Sequence, residues 1–124
     1  MSTILIVEDN EKNMKLARDI LQAKGYTTLE AVNGEDGVRM ALAQLPDMVL
    51  MDILLPDING IEAFARIRAN AATANDPVVA FTASVMSIDR NRIIDAGFDG
   101  FIGKPINLKE FLETVRKTLE GKTQ

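Results

Sequence analysis

Apolar residues in this chain come in two spacings that take turns along it. Unbroken runs stand at residues 4–7 (Ile-Leu-Ile-Val), 48–51 (Met-Val-Leu-Met) and 78–81 (Val-Val-Ala-Phe), with a briefer one at Phe101-Ile102. Short runs without polar interruption suit strands covered on both faces, as in a parallel sheet. Between them apolar residues recur every three to four positions, the spacing of a helix with one buried face. The alternation predicts five strand-helix pairs around a parallel sheet, with residues 27–31 as an edge strand.

Helix boundaries follow from local signals. The first helix starts at Asn10 as N-cap, carries Met14, Ala17 and Leu21 on one face and stops at Gly25. The second is capped by Asn33 and is expected to bury Val38, Ala41, Leu42 and Leu45 before Pro46 forbids continuation. Ile61, Phe64 and Ile67 mark the third, and the loop at residues 70–77 contains alanines expected to prolong it a little. Residues 86–96 have helical length and end at Gly97. Their Ile88, Ile93 and Ile94 sit among polar residues in a poorly amphipathic pattern, so this helix is expected to be loosely held. The last helix has Asn107 and Glu110 at capping-box spacing and repeats Leu108, Phe111, Leu112, Val115 and Leu119 at helical intervals; residues 121–124 read as a frayed tail.

The apolar runs end in polar groups. Residues 4–7 lead into Glu8-Asp9, residues 48–51 into Asp52, residues 78–81 into Thr82, and Phe101-Ile102 reaches Lys104-Pro105 after one glycine. Neighbouring parallel strands bring such ends to one rim of the sheet, where open α/β folds bind ligands. Three acids crowded there repel one another, and a hard divalent cation such as Mg²⁺ is their natural complement. Taken singly, Glu8-Asp9-Asn10 reads as a helix cap, Asp52 as a turn residue, Thr82 as a β-branched strand residue and Lys104 as a solvated charge. Their convergence favours a site.

An aspartate carboxylate can attack phosphorus to give an acyl phosphate. The arriving phosphoryl charge then needs a metal, a cationic side chain and a hydroxyl donor around its oxygens. Asp52, Lys104 and Thr82 fit the parts of nucleophile, cation and hydroxyl. Lys104-Pro105 is a peptide type that can adopt cis at modest cost, which would turn the lysine inward, although trans is the commoner form. Pro56 and Asn59-Gly60 shape the loop after Asp52.

Composition narrows the class. At 124 residues, 47% apolar and 26% charged, the chain is expected to be one soluble domain spanning 1–124, without repeats or low-complexity tracts. A net charge of -4 with scattered Lys and Arg argues against nucleic acid. The absence of Cys and His removes disulfides, thiolate or imidazole metal sites, Ser-His-Asp catalysis and any phosphohistidine within the chain. The N-terminus lacks a signal-peptide pattern and no apolar run approaches a membrane span, so a cytoplasmic, non-membrane protein is expected.

Glu8-Asp9, Met51-Asp52 followed by Pro56 and Gly60, Thr82-Ala83 and Lys104-Pro105, at these spacings, resemble the receiver domain of two-component response regulators over essentially the whole chain. The resemblance implies a flavodoxin-like (βα)5 three-layer sandwich, its five-stranded parallel sheet in the order 2-1-3-4-5. It implies that Asp52 accepts a phosphoryl group from a partner histidine kinase or phosphotransfer protein in the presence of Mg²⁺. Asp9 and Asp52 would bind the metal directly, Glu8 mostly through water, and the Leu54 carbonyl would complete the protein ligands. Thr82 and Phe101 would then act as the switch that remodels the face built from the fourth helix, fifth strand and fifth helix.

Two positions colour that expectation. Phe101 stands where many receivers carry tyrosine, so an inward state gains burial without a hydroxyl to bond. Leu54 stands where polar side chains can help position the hydrolytic water. Slow loss of the phosphoryl group is therefore expected, and a half-life of seconds would contradict it.

Residues 7–14 and the chain length look similar to the stand-alone DivK type of receiver. Because the chain ends just after the fifth helix, no output domain is expected, and output would come through contact with a downstream signalling protein, as a monomer or weak dimer. Beyond its own phosphoryl transfer and dephosphorylation, no enzymatic activity is expected. The competing reading is a flavodoxin-like ligand binder or an aspartyl-phosphate phosphatase. The first wants a Gly-rich loop where this chain has Glu8-Asp-Asn-Glu, and the second usually has an aspartate where Leu54 stands.

Overall fold

The computed structural model describes residues 2–82 and 87–122. In chain order these form β1 (Thr3–Val7), α1 (Glu11–Ala23), β2 (Thr27–Ala31), α2 (Gly34–Gln44), β3 (Met48–Met51), α3 (Gly60–Ala69), β4 (Val78–Thr82), α4 (Ser87–Ala96), β5 (Gly100–Gly103) and α5 (Leu108–Lys122). The strands pair in parallel in the order β2-β1-β3-β4-β5, with β2 at an edge as its weaker pattern predicts.

The unbroken apolar runs have a direct cause. Alternate side chains of a strand point to opposite faces, and here both faces are covered. Ile4, Ile6, Leu50 and Phe81 pack with Met14 and Leu21 of α1 and Phe111 and Val115 of α5. Leu5, Val7, Val49 and Met51 pack with Val38 and Ala41 of α2 and with Phe64 and Ile67 of α3. Each fully buried Leu, Ile or Phe contributes roughly 1.5–3 kcal/mol, so the sheet is held from two sides by separate halves of the core.

Four asparagines start helices. Asn10, Asn33, Asn59 and Asn107 accept through Oδ1 from the backbone N–H three residues on, at 3.0, 2.8, 2.9 and 3.1 Å. Each satisfies a donor that the helix cannot. α1 closes with the Gly25 N–H on the Gln22 carbonyl (3.0 Å) and the Tyr26 N–H on the Leu21 carbonyl (3.1 Å), around a Gly25 φ of 91° that suits glycine.

Elsewhere the structure departs from the pattern. Leu45, expected in the core, is 56% exposed, because the chain leaves α2 through a left-handed turn at this residue (φ 48°) that points its side chain outward. Leu108 is 57% exposed, since α5 meets the sheet only from Phe111 onward. α3 is not prolonged by the alanines. Asn70 is extended and its side chain accepts from the Ala72 N–H, opening a turn that carries Thr73 inward to bond the Ile67 carbonyl at 2.5 Å. α5 runs through Gly121 to Lys122, past the expected start of the tail. α4 is described from Ser87; it buries Ile93 and leaves Ile94 59% exposed. Residue 86, Ala83 and residues 123–124 lie outside the described residues.

Candidate functional site

Strand register assembles the rim. Val7 pairs with Met51 and Thr82 with Gly103, so Glu8, Asp52 and Lys104 each stand one residue beyond their strand, and Thr82 closes β4. Backbone bonds continue into these residues. The Glu8 N–H donates to the Ala31 carbonyl, the Asp52 N–H to the Val7 carbonyl and the Lys104 N–H to the Thr82 carbonyl, each at 3.0 Å. The site backbone thus inherits the rigidity of the sheet.

On that frame the side chains converge. Lys104 Nζ lies 3.1 Å from Asp52 Oδ2 and also donates to Glu8 Oε1. The same ammonium sits 4.7 Å from the centre of the Phe81 ring, an arrangement in which the ring face attracts the cation. The Lys104-Pro105 peptide is cis. The remaining carboxylate oxygens also have donors, since the Leu54 N–H bonds Asp52 Oδ1 at 3.0 Å and the Asn10 N–H bonds Glu8 Oε2 at 3.1 Å. Glu8 and Asp52 are buried, while Asp9 is exposed.

The charges do not balance. One oxygen each of Glu8, Asp9 and Asp52 can be chosen so that all lie within 4.8 Å of one another. With all three carboxylates ionised, the one ammonium bonded among them leaves two net negative charges, the complement of a divalent cation. Burial pushes the Glu8 carboxyl up to about 7; the Lys104 hydrogen bond pulls against that rise, and the adjoining Asp52 adds to it. Such an all-oxygen, under-compensated cluster fits Mg²⁺, which takes one or two carboxylates and keeps several waters.

The site opens to a cleft of about 660 Å³ bordered by Glu8, Asp9, Asp52, Leu54 and Lys104, with the start of α1 opposite. Leu54 projects at its edge, 66% exposed. Thr82 is fully buried at the end of β4 and is not among the residues lining the cleft. Phe101 is half-buried, packs toward Ile53, Ala80 and Ile93, and borders a separate groove along α5. The structure therefore gathers Glu8, Asp9, Asp52, Leu54 and Lys104 at one cleft and sets Thr82 and Phe101 on the adjoining strands.

Comparison with known proteins agrees with this geometry. The response regulator receiver domain family matches residues 4–116. The chain belongs to this receiver family. It is 40% identical over 117 residues to the polar-differentiation response regulator DivK of Brucella anthropi, covering 94% of this receiver and 95% of that protein. Among solved structures, a response regulator from Chloroflexus aurantiacus J-10-fl superposes with a TM-score of 0.92 at 28% identity, covering 96% of this chain and 98% of the other. The receiver domain of a sensor histidine kinase from Pseudomonas aeruginosa PAO1, solved with a magnesium ion coordinated in its active site cleft, gives 0.90 at 31% identity, covering 96% and 98%.

Some parts of the receiver site were not legible in advance. Phe81 reads in sequence as a core residue only, yet it supports Lys104. Gly60 reads in sequence as a glycine that lets the loop turn without a Cβ clash, and the structure supplies the partner that sequence does not name: a Cβ there would lie 2.2 Å from the Asp52 carbonyl oxygen. Asp57, three residues after Leu54, accepts from the Gly34 and Glu35 N–H groups of α2. Nothing local marks a loop aspartate as the partner of a helix that starts 23 residues earlier.

Proposed function

We propose that this receiver accepts a phosphoryl group on Asp52 from a histidine kinase or phosphotransfer protein and signals by phosphorylation-dependent protein contact. The observation that carries the proposal is Lys104, held against Asp52 and Glu8 inside an acidic cluster of charge and size suited to a divalent cation. Since these 124 residues contain no histidine, the donor nitrogen lies outside them.

An Asp52 carboxylate oxygen attacks the phosphorus of the phosphohistidine. The new O–P bond forms as the P–N bond breaks, and the imidazole nitrogen keeps the electron pair and takes up a proton. Asp9, Asp52 and the Leu54 carbonyl, with Glu8 acting through water, would hold Mg²⁺, which would supply charge neutralisation there. Lys104 already stands beside the nucleophile and can pair with a phosphoryl oxygen. The Thr82 hydroxyl donates to another, and Phe101 turns inward to follow it. The surface of α4, β5 and α5 then shifts between two populations that a downstream protein distinguishes.

Leu54 offers no polar group to hold a hydrolytic water, in keeping with a long-lived acyl phosphate. Among the described residues no helix is long and apolar enough to cross a membrane. We further propose a cytoplasmic monomer or weak dimer with no activity beyond its own phosphorylation and dephosphorylation.

Phosphoramidate, whose P–N bond imitates phosphohistidine, tests the proposal. Labelling that depends on Mg²⁺, is released by hydroxylamine and maps to the peptide containing Asp52 is expected. Labelling at Ser or Thr that survives hydroxylamine would contradict it.

A further inference from the structure

Residues 53–60 form a loop closed at its base by the Gly60 N–H on the Ile53 carbonyl at 2.9 Å. This loop leaves the phospho-acceptor and carries Leu54. The Leu54 side chain is 66% exposed, so packing of that side chain does not fix its backbone. Something else must hold the segment if Leu54 is to present a carbonyl and an N–H in constant positions.

Asp57 supplies that hold. Its Oδ1 accepts from the Gly34 N–H and its Oδ2 from the Glu35 N–H, both at 2.8 Å. These are the first N–H groups of α2, which have no acceptor within the helix. Asn33 already caps the Asp36 N–H, so two side chains from different segments divide the donors of this helix end. Burial raises the Asp57 carboxyl, but the N–H groups of Glu35, Gly34 and Ile58 outweigh it and hold the group below its ordinary value. The positive end of the helix dipole acts in the same sense.

The contact is part of a closed ring. Ile58 packs so tightly on Gly34 that a Cβ there would fall 2.4 Å from Ile58 Cγ1. Glu35 in turn pairs with Arg66 of α3 at 2.8 Å, and α3 begins at Gly60, where the loop ends. Both Asp57 oxygens are engaged by backbone N–H groups, and Asp57 is not part of the Glu8-Asp9-Asp52 cluster, so it is not itself a metal ligand.

We infer that Asp57 is a positioning residue for the divalent-cation site: by clamping the loop to the start of α2 it presets the Leu54 backbone beside Asp52. The inference rests on the function proposed above, and its consequences extend to the metal-free protein. There the Leu54 N–H, bonded to Asp52 Oδ1 at 3.0 Å, reports the order of the loop.

The test uses the whole chain as wild type, Asp57→Ala, Asp57→Asn and Asn33→Ala. Mg²⁺ affinity is measured by calorimetry, and exchange of the Leu54 amide hydrogen is followed without metal. Asp57→Ala is expected to weaken Mg²⁺ by about tenfold, the lower end of what outer-shell losses cost, and to speed Leu54 exchange. Asp57→Asn, which keeps one acceptor, recovers most of both. Asn33→Ala removes a cap from the same helix and leaves both near wild type. Unchanged affinity and unchanged Leu54 exchange in Asp57→Ala, or an equal loss in Asn33→Ala, would overturn the inference. A wild type that binds no Mg²⁺ would instead overturn the metal site, and Leu54 exchange alone would then decide the role of Asp57.

Discussion

Lys104 Nζ stands 3.1 Å from Asp52 Oδ2 and donates a second hydrogen bond to Glu8, so one ammonium ties the ends of β1 and β3 to the end of β5. The pair is buried, and removing one member strands charge in a poorly solvated place. Lys104→Met keeps the stem volume and deletes the charge. It is expected to cost roughly 3–5 kcal/mol at pH 8, and less at pH 5, where Glu8 can hold its proton. Denaturant titrations at the two pH values check this; an equal cost at both would contradict it.

Glu8 makes the metal-free protein sensitive to pH in an otherwise quiet window. Burial, opposed by Lys104 and reinforced by Asp52, raises its carboxyl from 4.5 to about 7. Between those values the folded state holds a proton that the unfolded state has lost. The stabilisation is therefore fully present below about 4.5 and is lost as pH rises through about 7. No histidine titrates in this range. Metal-free stability should fall from pH 5 to pH 8, and Glu8→Gln should flatten the decline. Because Mg²⁺ binding favours the ionised carboxyl, its affinity should rise over the same range. A flat wild-type profile would contradict the Glu8 environment described here.

Gly60 joins fold to chemistry by contact. An added Cβ would meet the Asp52 carbonyl oxygen at 2.2 Å and Ile53 Cα at 2.8 Å, both backbone atoms that cannot rotate away. Gly60→Ala is expected to lose about 1–3 kcal/mol through overpacking and to slow phosphorylation of Asp52. Normal stability together with a normal phosphorylation rate would show that the loop can give way at no cost.

Leu45 offers the opposite outcome. Its φ of 48° strains an L-residue, and the side chain is largely exposed, so little packing compensates. Leu45→Asn should stabilise the fold by up to about 1 kcal/mol while leaving phosphorylation unchanged, as a rise in melting temperature would show. A drop would mean that Leu45 packs more usefully than its exposure indicates.

The strands were legible because both faces of the sheet are covered, leaving unbroken runs whose polar ends mark the rim. Glu8, Asp52 and Lys104 could be named from those ends. Other features depend on contacts between distant segments and leave no local trace. Asp57 caps a helix 22–23 residues upstream. Arg68 bonds Asp99 across 31 residues at 2.5 Å and lies 4.8 Å from the Phe64 ring centre, pinning α3 to the connection before β5. Leu45 and Leu108 satisfy a helical period yet face solvent: Leu45 because the backbone has already turned left-handed out of α2 there, Leu108 because periodicity gives the face of a helix and not where along its length the sheet begins.

The most direct measurement is intact mass after incubation with a small phosphoryl donor, with and without Mg²⁺, for wild type and Asp52→Asn. A single phosphoryl addition that requires Mg²⁺ and vanishes in Asp52→Asn is predicted. Addition that persists in Asp52→Asn, or no addition to wild type while Mg²⁺ binds, would contradict Asp52 as the phospho-acceptor.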